Sequence, residues 1–187
     1  MPKSQALWHG TTILLILCGF IYFGMSVKRV EIEYEYLNSY KELPENDRVL
    51  VEKAIEALGG AYAPYSGFQV GAALRLKGGQ ILKGANQENA AYPSGLCAER
   101  TAMFYANANY PALPIEAIAV VAAVDGRLER GITYPCGACR QVMIEFEKKG
   151  GEDIKVILAG SDTVEVFKSV RDILPFSFDS LDPEIEK

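Results

Sequence analysis

Residues 115–124 read IEAIAVVAAV, from Ile115 to Val124, with Glu116 the one charge in the run. A continuous apolar run of this length has no polar face. It suits a strand buried on both sides of a sheet, and such a strand needs a layer above it and another below. Working outward, two stretches with helical character flank it. Cys97 to about Asn109 precedes the run and is closed by Pro111, and Cys136 to Lys149 follows it and is stopped by Gly150-Gly151. A third helix is expected from about Glu45 to Leu58. Pro44 sits at its start, Val49, Leu50, Ala54, Ala57 and Leu58 form its stripe, and Gly59-Gly60 ends it. Phe68 to Lys77 and Gln80 to Ala85 read as a hairpin about Gly78-Gly79, and Ile154–Ala159 and Thr163–Phe167 as short strands. The order helix, hairpin, helix, strand, helix, strand, strand predicts an α/β fold. The expected form is a three-layer α/β/α sandwich around a mixed sheet of about five strands.

The chain has 187 residues, enough for one domain with at most a short appendage. Apolar residues make up 49% and charged ones 23%, which excludes wholesale disorder. The 19 Lys and Arg against 24 Asp and Glu give a net charge of -5, against the basic face of a nucleic-acid binder. Four cysteines are too few for a secreted disulfide scaffold. The single histidine, His9, lies outside the expected core, so a metal site there must use Cys, Asp or Glu.

The amino-terminal residues 1–27 form an apolar leader, set apart from a domain over 28–187. Leu7 to Val27 holds no Lys, Arg, Asp or Glu. Its most apolar part, Ile13–Gly24, is about 18 Å long as a helix, against a hydrocarbon core of about 30 Å. Lys3 precedes it, but no small-x-small cleavage site comes before Met25. If residues 7–27 do tether the chain to a membrane, Lys28 and Arg29 keep the domain on the cytoplasmic side. The expectation is instead that Met25 is the natural start, or that 1–24 is dispensable, and that the protein is cytoplasmic. From Lys28 to Tyr40 the chain reads as an alternating strand-like or irregular arm.

The chemistry is concentrated at the starts of the two flanking helices. Cys97-Ala98-Glu99 opens one, and Pro135-Cys136-Gly137-Ala138-Cys139 opens the other. Helix N-termini favour thiolates. Three thiolates leave one position of a tetrahedral zinc open, as a catalytic site requires and a structural site does not. Arg100 is placed to offset the excess negative charge. Glu99, two residues from a ligand, is placed to take a proton from a water rather than bind the metal. A lone Cys-x-x-Cys is often structural or redox-active. The Cys-x-Glu partner, Pro135 and the two helix starts turn the reading toward a catalytic zinc, one Zn2+ per chain.

With these residues in place, the chain from about Ala63 to Phe178 resembles the homotetrameric cytidine deaminases of pyrimidine salvage. The resemblance is carried by Pro64-Tyr65-Ser66-Gly67-Phe68, Val70-Gly71-Ala72-Ala73, Asn86-Gln87-Glu88-Asn89-Ala90, Cys97-Ala98-Glu99-Arg100-Thr101, Pro135-Cys136-Gly137-Ala138-Cys139-Arg140-Gln141 and the tail Leu174-Pro175-Phe176-Ser177-Phe178. It implies that Asn86 and Glu88 hold the ribose hydroxyls from one side of a strand. It implies also that Phe68 packs against the nucleoside, that backbone around Ala98 reads the base edge, and that Phe178 stacks on the pyrimidine of a neighbouring subunit. Of Arg100 and Arg140, Arg100 is the expected thiolate partner. Two residues depart from the family pattern: Gln87, where Ile or Val is usual, and Tyr134, where Ser or Thr is common. Tyr134 is expected to reshape the pocket near the leaving amine.

The resemblance implies hydrolysis of cytidine or deoxycytidine to uridine or deoxyuridine and ammonia, with Glu99 moving protons from water to N3 of the base and then to the departing amine. The partner implied is a small-molecule nucleoside, with no nucleic acid, in a homotetramer with shared sites. The rivals are a deaminase of a modified nucleoside of the blasticidin type, a nucleic-acid-editing deaminase, and a non-catalytic zinc-stabilised interaction module. An intact Glu99 argues against the last of these.

Overall fold

A computed structural model of the chain describes residues 26–178. The leader up to Met25 and the start reading based on it lie outside these residues. Residues 26–31 carry no regular secondary structure and are exposed, and the compact unit with the sheet begins at Ile32.

The strands are β1 (Glu35–Leu37), β2 (Phe68–Leu76), β3 (Ile81–Ala85), β4 (Ile115–Val124), β5 (Arg127–Leu128), β6 (Lys155–Ala159) and β7 (Val164–Phe167), and the helices α1 (Glu45–Ala57), α2 (Ala98–Asn109) and α3 (Gly137–Gly150). They form one mixed sheet of order β1-β7-β6-β4-β2-β3, with β5 paired to β4. The α/β sandwich expected from the sequence is present, but the sheet has seven strands where about five were expected. The two missed strands are short. β5 has two residues and lies just after the Asp125-Gly126 turn, too short to show a period. β1 is three residues of the exposed arm, defined only by its antiparallel register with β7, Glu35 opposite Val166. Neither is decided by local hydrophobicity.

β4 is central. Its alternation divides the core: Ala117, Ala119 and Val121 face α1, while Ile118 and Val120 face α2 and α3. The small residues on the first face let α1 come close. Its buried line is Leu50, Val51, Ala54 and Ala57, with Val51 taking the place expected for Val49. Gly71 completes that approach, since a Cβ there would stand 2.1 Å from the Ala54 carbonyl oxygen.

Topology brings the cysteine-bearing helix starts together. β3 and β4 are each antiparallel to β2, so they run the same way, and β4 and β6 pair in parallel. Parallel strands need crossovers, and α2 and α3 supply them on one face of the sheet. Each crossover helix therefore starts near the carboxyl end of its preceding strand, at the same edge, where α/β folds place ligands. Gly84 of β3 seats the first turn of α2: a Cβ there would lie 2.5 Å from the Ala98 oxygen and 2.6 Å from the Ala102 nitrogen. The far end of α3 is held by buried Glu147, which accepts from the Ile154 and Val170 amides and the Ser169 hydroxyl at 2.8–2.9 Å.

Candidate metal centre and nucleoside cleft

Cys97 and Cys136 are the N-caps of α2 and α3, extended at φ -72 and -67, and neither spends its side chain on a capping bond. Both sulfurs are left free at helix ends whose amides point outward with partial positive charge. Cys139 follows one turn into α3 and is fully buried. The sulfurs of Cys97 and Cys136 are 3.9 Å apart and those of Cys136 and Cys139 3.5 Å. All three lie within 4.8 Å of one another. A tetrahedron with Zn–S arms of about 2.3 Å has sulfurs about 3.8 Å apart, so the donor set fits zinc in both softness and spacing.

The electrostatics point the same way. The Cys97 thiol is lowered to about 5, chiefly by a hydrogen bond from Cys139 and then by the Arg100 guanidinium, working against partial burial. Cys139 is pushed up, because its thiol keeps its proton to donate to Cys97, and because of burial and the nearby Glu99 carboxylate. Arg100 Nη2 lies 3.4 Å from its sulfur, as expected, and the buried Arg100 Nε has no hydrogen-bond partner among the described residues. Arg140 is committed elsewhere, donating to the Pro135 and Ile173 carbonyls at 2.8 and 2.9 Å.

Glu99 is only 4% exposed, on the first turn of α2 beside the thiols. Burial pushes its carboxyl above the ordinary range, against a hydrogen bond from its own amide. An acid so placed accepts a proton more readily than a solvated one.

An open cleft of about 480 Å3 leads to Cys97 and Arg100, with Asn86, Glu88, Tyr65 and Tyr92 on its walls. Asn86 and Glu88 were expected on a strand, but β3 ends at Ala85 and both stand beyond it. They lie on an extended segment that Gln87 fastens through backbone bridges to Tyr62 and Leu96. The Asn86 amide spans the β2 backbone, its Oδ1 accepting from the Val70 amide and its Nδ2 donating to the Phe68 carbonyl. Glu88 accepts from the Ser66 hydroxyl at 2.5 Å and the Tyr65 amide at 2.9 Å, so its carboxyl lies below the usual range. Ser66 and Tyr65 were quoted in the sequence without a role. The signal for one was the turn ahead of Gly67, whose φ of 67° gathers these donors around one acceptor.

Phe68 is half-buried at the head of β2, and Ala98 is fully buried under the first turn of α2. Phe178 is exposed, its carbonyl accepting from Gln141 Nε2 at 2.5 Å. Neither Phe68 nor Phe178 lines the cleft within the single chain. Gln87 turns its amide away, to the Gly60 carbonyl. Tyr134 directs its hydroxyl to Glu165 at 2.7 Å.

The model of the cytidine and deoxycytidylate deaminase zinc-binding region matches residues 44–150. A cytidine deaminase of Halalkalibacterium halodurans is 45% identical over 137 residues, 72% of this chain and 96% of the relative. Among solved structures, the cytidine deaminase of Burkholderia pseudomallei superposes with a TM-score of 0.59 at 45% identity, covering 70% of this chain and 97% of that one. That of Mycobacterium tuberculosis gives 0.55 at 30%, covering 71% and 96%. Three cysteine sulfurs at zinc spacing, a buried glutamate beside them and these likenesses agree: the chain belongs to the zinc-binding cytidine and deoxycytidylate deaminase family.

Proposed function

We propose that the protein is a zinc-dependent hydrolase that converts cytidine and deoxycytidine to uridine and deoxyuridine with release of ammonia, in pyrimidine salvage. The observation that carries the reading is the buried Glu99 carboxyl beside three thiols at ligating distance, at the end of an open cleft. Cys97, Cys136 and Cys139 hold the zinc, which when bound supplies Lewis acidity toward the attacking water. Glu99 takes a proton from that water and delivers it to N3 of the base as oxygen adds at C4. It then takes the proton of the new C4 hydroxyl and delivers it to the amine, so that the C4–N bond breaks, ammonia leaves and C4 keeps its oxygen as the carbonyl of the product. Its raised affinity for a proton suits a group that must hold one between two transfers. Arg100 balances the thiolate charge through Cys97, so the metal keeps its acidity.

Asn86 and Glu88 face the cleft and bind the ribose hydroxyls. Their own hydrogen bonds fix them before substrate arrives, which lowers the cost of ordering them. Phe68 and the backbone at Ala98 flank the base. Phe178, exposed on its own chain, stacks on the pyrimidine in a neighbouring subunit of a homotetramer. Residues 28–187 carry the activity, in the cytoplasm. Among the described residues no helix is long and apolar enough to cross a membrane.

Ammonia release from cytidine, deoxycytidine and single-stranded DNA tests the reading. Turnover of both nucleosides and not of DNA is expected. Turnover of DNA alone, or of none of the three by zinc-loaded protein, overturns it.

A further inference from the structure

Tyr134 stands just ahead of Pro135-Cys136, where its hydroxyl donates a 2.7 Å hydrogen bond to Oε2 of Glu165. Glu165 is 8% exposed, in the middle of β7. Its strand neighbours Val164 and Val166 belong to the core on the α1 side, and Phe167 to the core under α2 and α3. Alternation therefore turns Glu165 to the α2 and α3 face, the side of the metal centre. A carboxylate buried in a strand is costly unless a donor meets it. Tyr134 is that donor.

The pair acts on the loop that leads into α3, where side chains rather than backbone bonds hold the chain. The Asp162 amide bonds to the Arg130 carbonyl, and the next backbone bond is from Arg140 to Cys136, inside α3. Among the described residues, 131–135 make no hydrogen bond to other backbone. Side chains hold them instead: Ile132 against the core, Arg140 on the Pro135 carbonyl, and Tyr134 on Glu165. Arg140, which also donates to the Ile173 carbonyl, ties the loop to its own helix and to the turn after β7, and Tyr134 ties it to β7 itself. Cys136 follows directly, exposed and without a capping bond.

We propose that Tyr134 is a positioning residue for the metal centre: anchored on Glu165, it fixes the Cys136–Cys139 turn relative to the sheet and hence to Cys97. The inference rests on the zinc reading. It also gives Tyr134 a role in holding the loop before Cys136, in place of the pocket-shaping role expected at the leaving amine.

The test is zinc affinity by chelator competition on the full-length holoprotein, with cobalt-substituted protein as a spectroscopic readout of ligand geometry. Tyr134→Phe keeps the ring and removes the donor. It should weaken zinc about tenfold and shift the cobalt d–d bands. Glu165→Leu should do the same, and the double variant no more than either single one. Glu165→Gln, whose amide oxygen still accepts, should restore near-wild-type affinity and bands. A role confined to stability would lower the melting temperature and leave the bands in place. Wild-type zinc affinity and wild-type bands in Tyr134→Phe overturn the inference, and that variant decides the matter if Glu165→Leu fails to fold. Failure of the wild-type protein to hold zinc would instead overturn the zinc reading itself.

Discussion

At the scale of the residue, Glu99 and Arg100 are neighbours in sequence with opposite surroundings. Glu99 is buried against the thiols, while Arg100 reaches Cys97 from the cleft. On the proposed reading, one helical turn thus holds the group that moves protons and the one that balances charge. Glu99→Gln keeps the shape and a hydrogen bond to water but cannot carry a proton. Zinc content should remain at one per chain, while turnover of cytidine falls about a hundred- to ten-thousand-fold. Metal analysis alongside single-turnover kinetics checks this. Turnover within tenfold of wild type would remove Glu99 from its role.

The elements are positioned by close approaches that glycine allows. Gly71 lets α1 onto β2 and Gly84 lets α2 onto β3, but only α2 carries a zinc ligand at its start. Alanine at either site forces two backbones apart and should cost about 1–3 kcal/mol or more. The two variants should part in their metal binding. Gly71→Ala should lower the melting temperature with zinc affinity kept, and Gly84→Ala should lower both, since Ala98 and Ala102 are displaced with Cys97 beside them. Calorimetry and chelator competition on the two proteins separate the effects. Equal zinc loss in both would mean the site does not depend on the seat of α2 in particular. Buried charges also shape the elements, and no local pattern points to them. Asp47, in the first turn of α1, meets Arg75 at 3.0 Å and Lys155 at 2.7 Å from two different strands, partners that are far off in sequence. Periodicity assigns apolar residues to the core and is silent on such ties.

For the whole molecule, exposed apolar side chains are spread over several faces: Phe104 and Tyr105 on α2, Tyr92 at the cleft, Phe176 and Phe178 at the end of the described chain. A homotetramer with shared sites would cover part of this surface and bring Phe178 to a neighbour's cleft. A chain beginning at Met25 should scatter light as a tetramer and deaminate cytidine at the full rate. Phe178→Ala should raise KM about two- to tenfold and move kcat less, the loss of one aromatic contact. A fully active monomer, or an unchanged KM, would rule out the shared site.

The sequence by itself determined the layered α/β fold, the order of its main elements and the cysteine cluster with Glu99 beside it. These follow from short-range patterns: an apolar run at 115–124, Gly and Pro stops, and cysteines at helix starts, each legible within a few residues. Tertiary structure alone decided the rest. The pairing of β1 with β7 and β5 with β4 depends on register between segments too short to show a period. The convergence of the two helix starts depends on β3 and β4 running in the same direction on either side of β2. Asn86 and Glu88 were recognised as residues, but their partners Val70, Phe68 and Ser66 lie 16 to 22 positions away. The bond from Tyr134 to Glu165 spans 31. Hydrogen-bond partners are chosen by proximity in space, and no local pattern encodes a contact that the folded sheet creates.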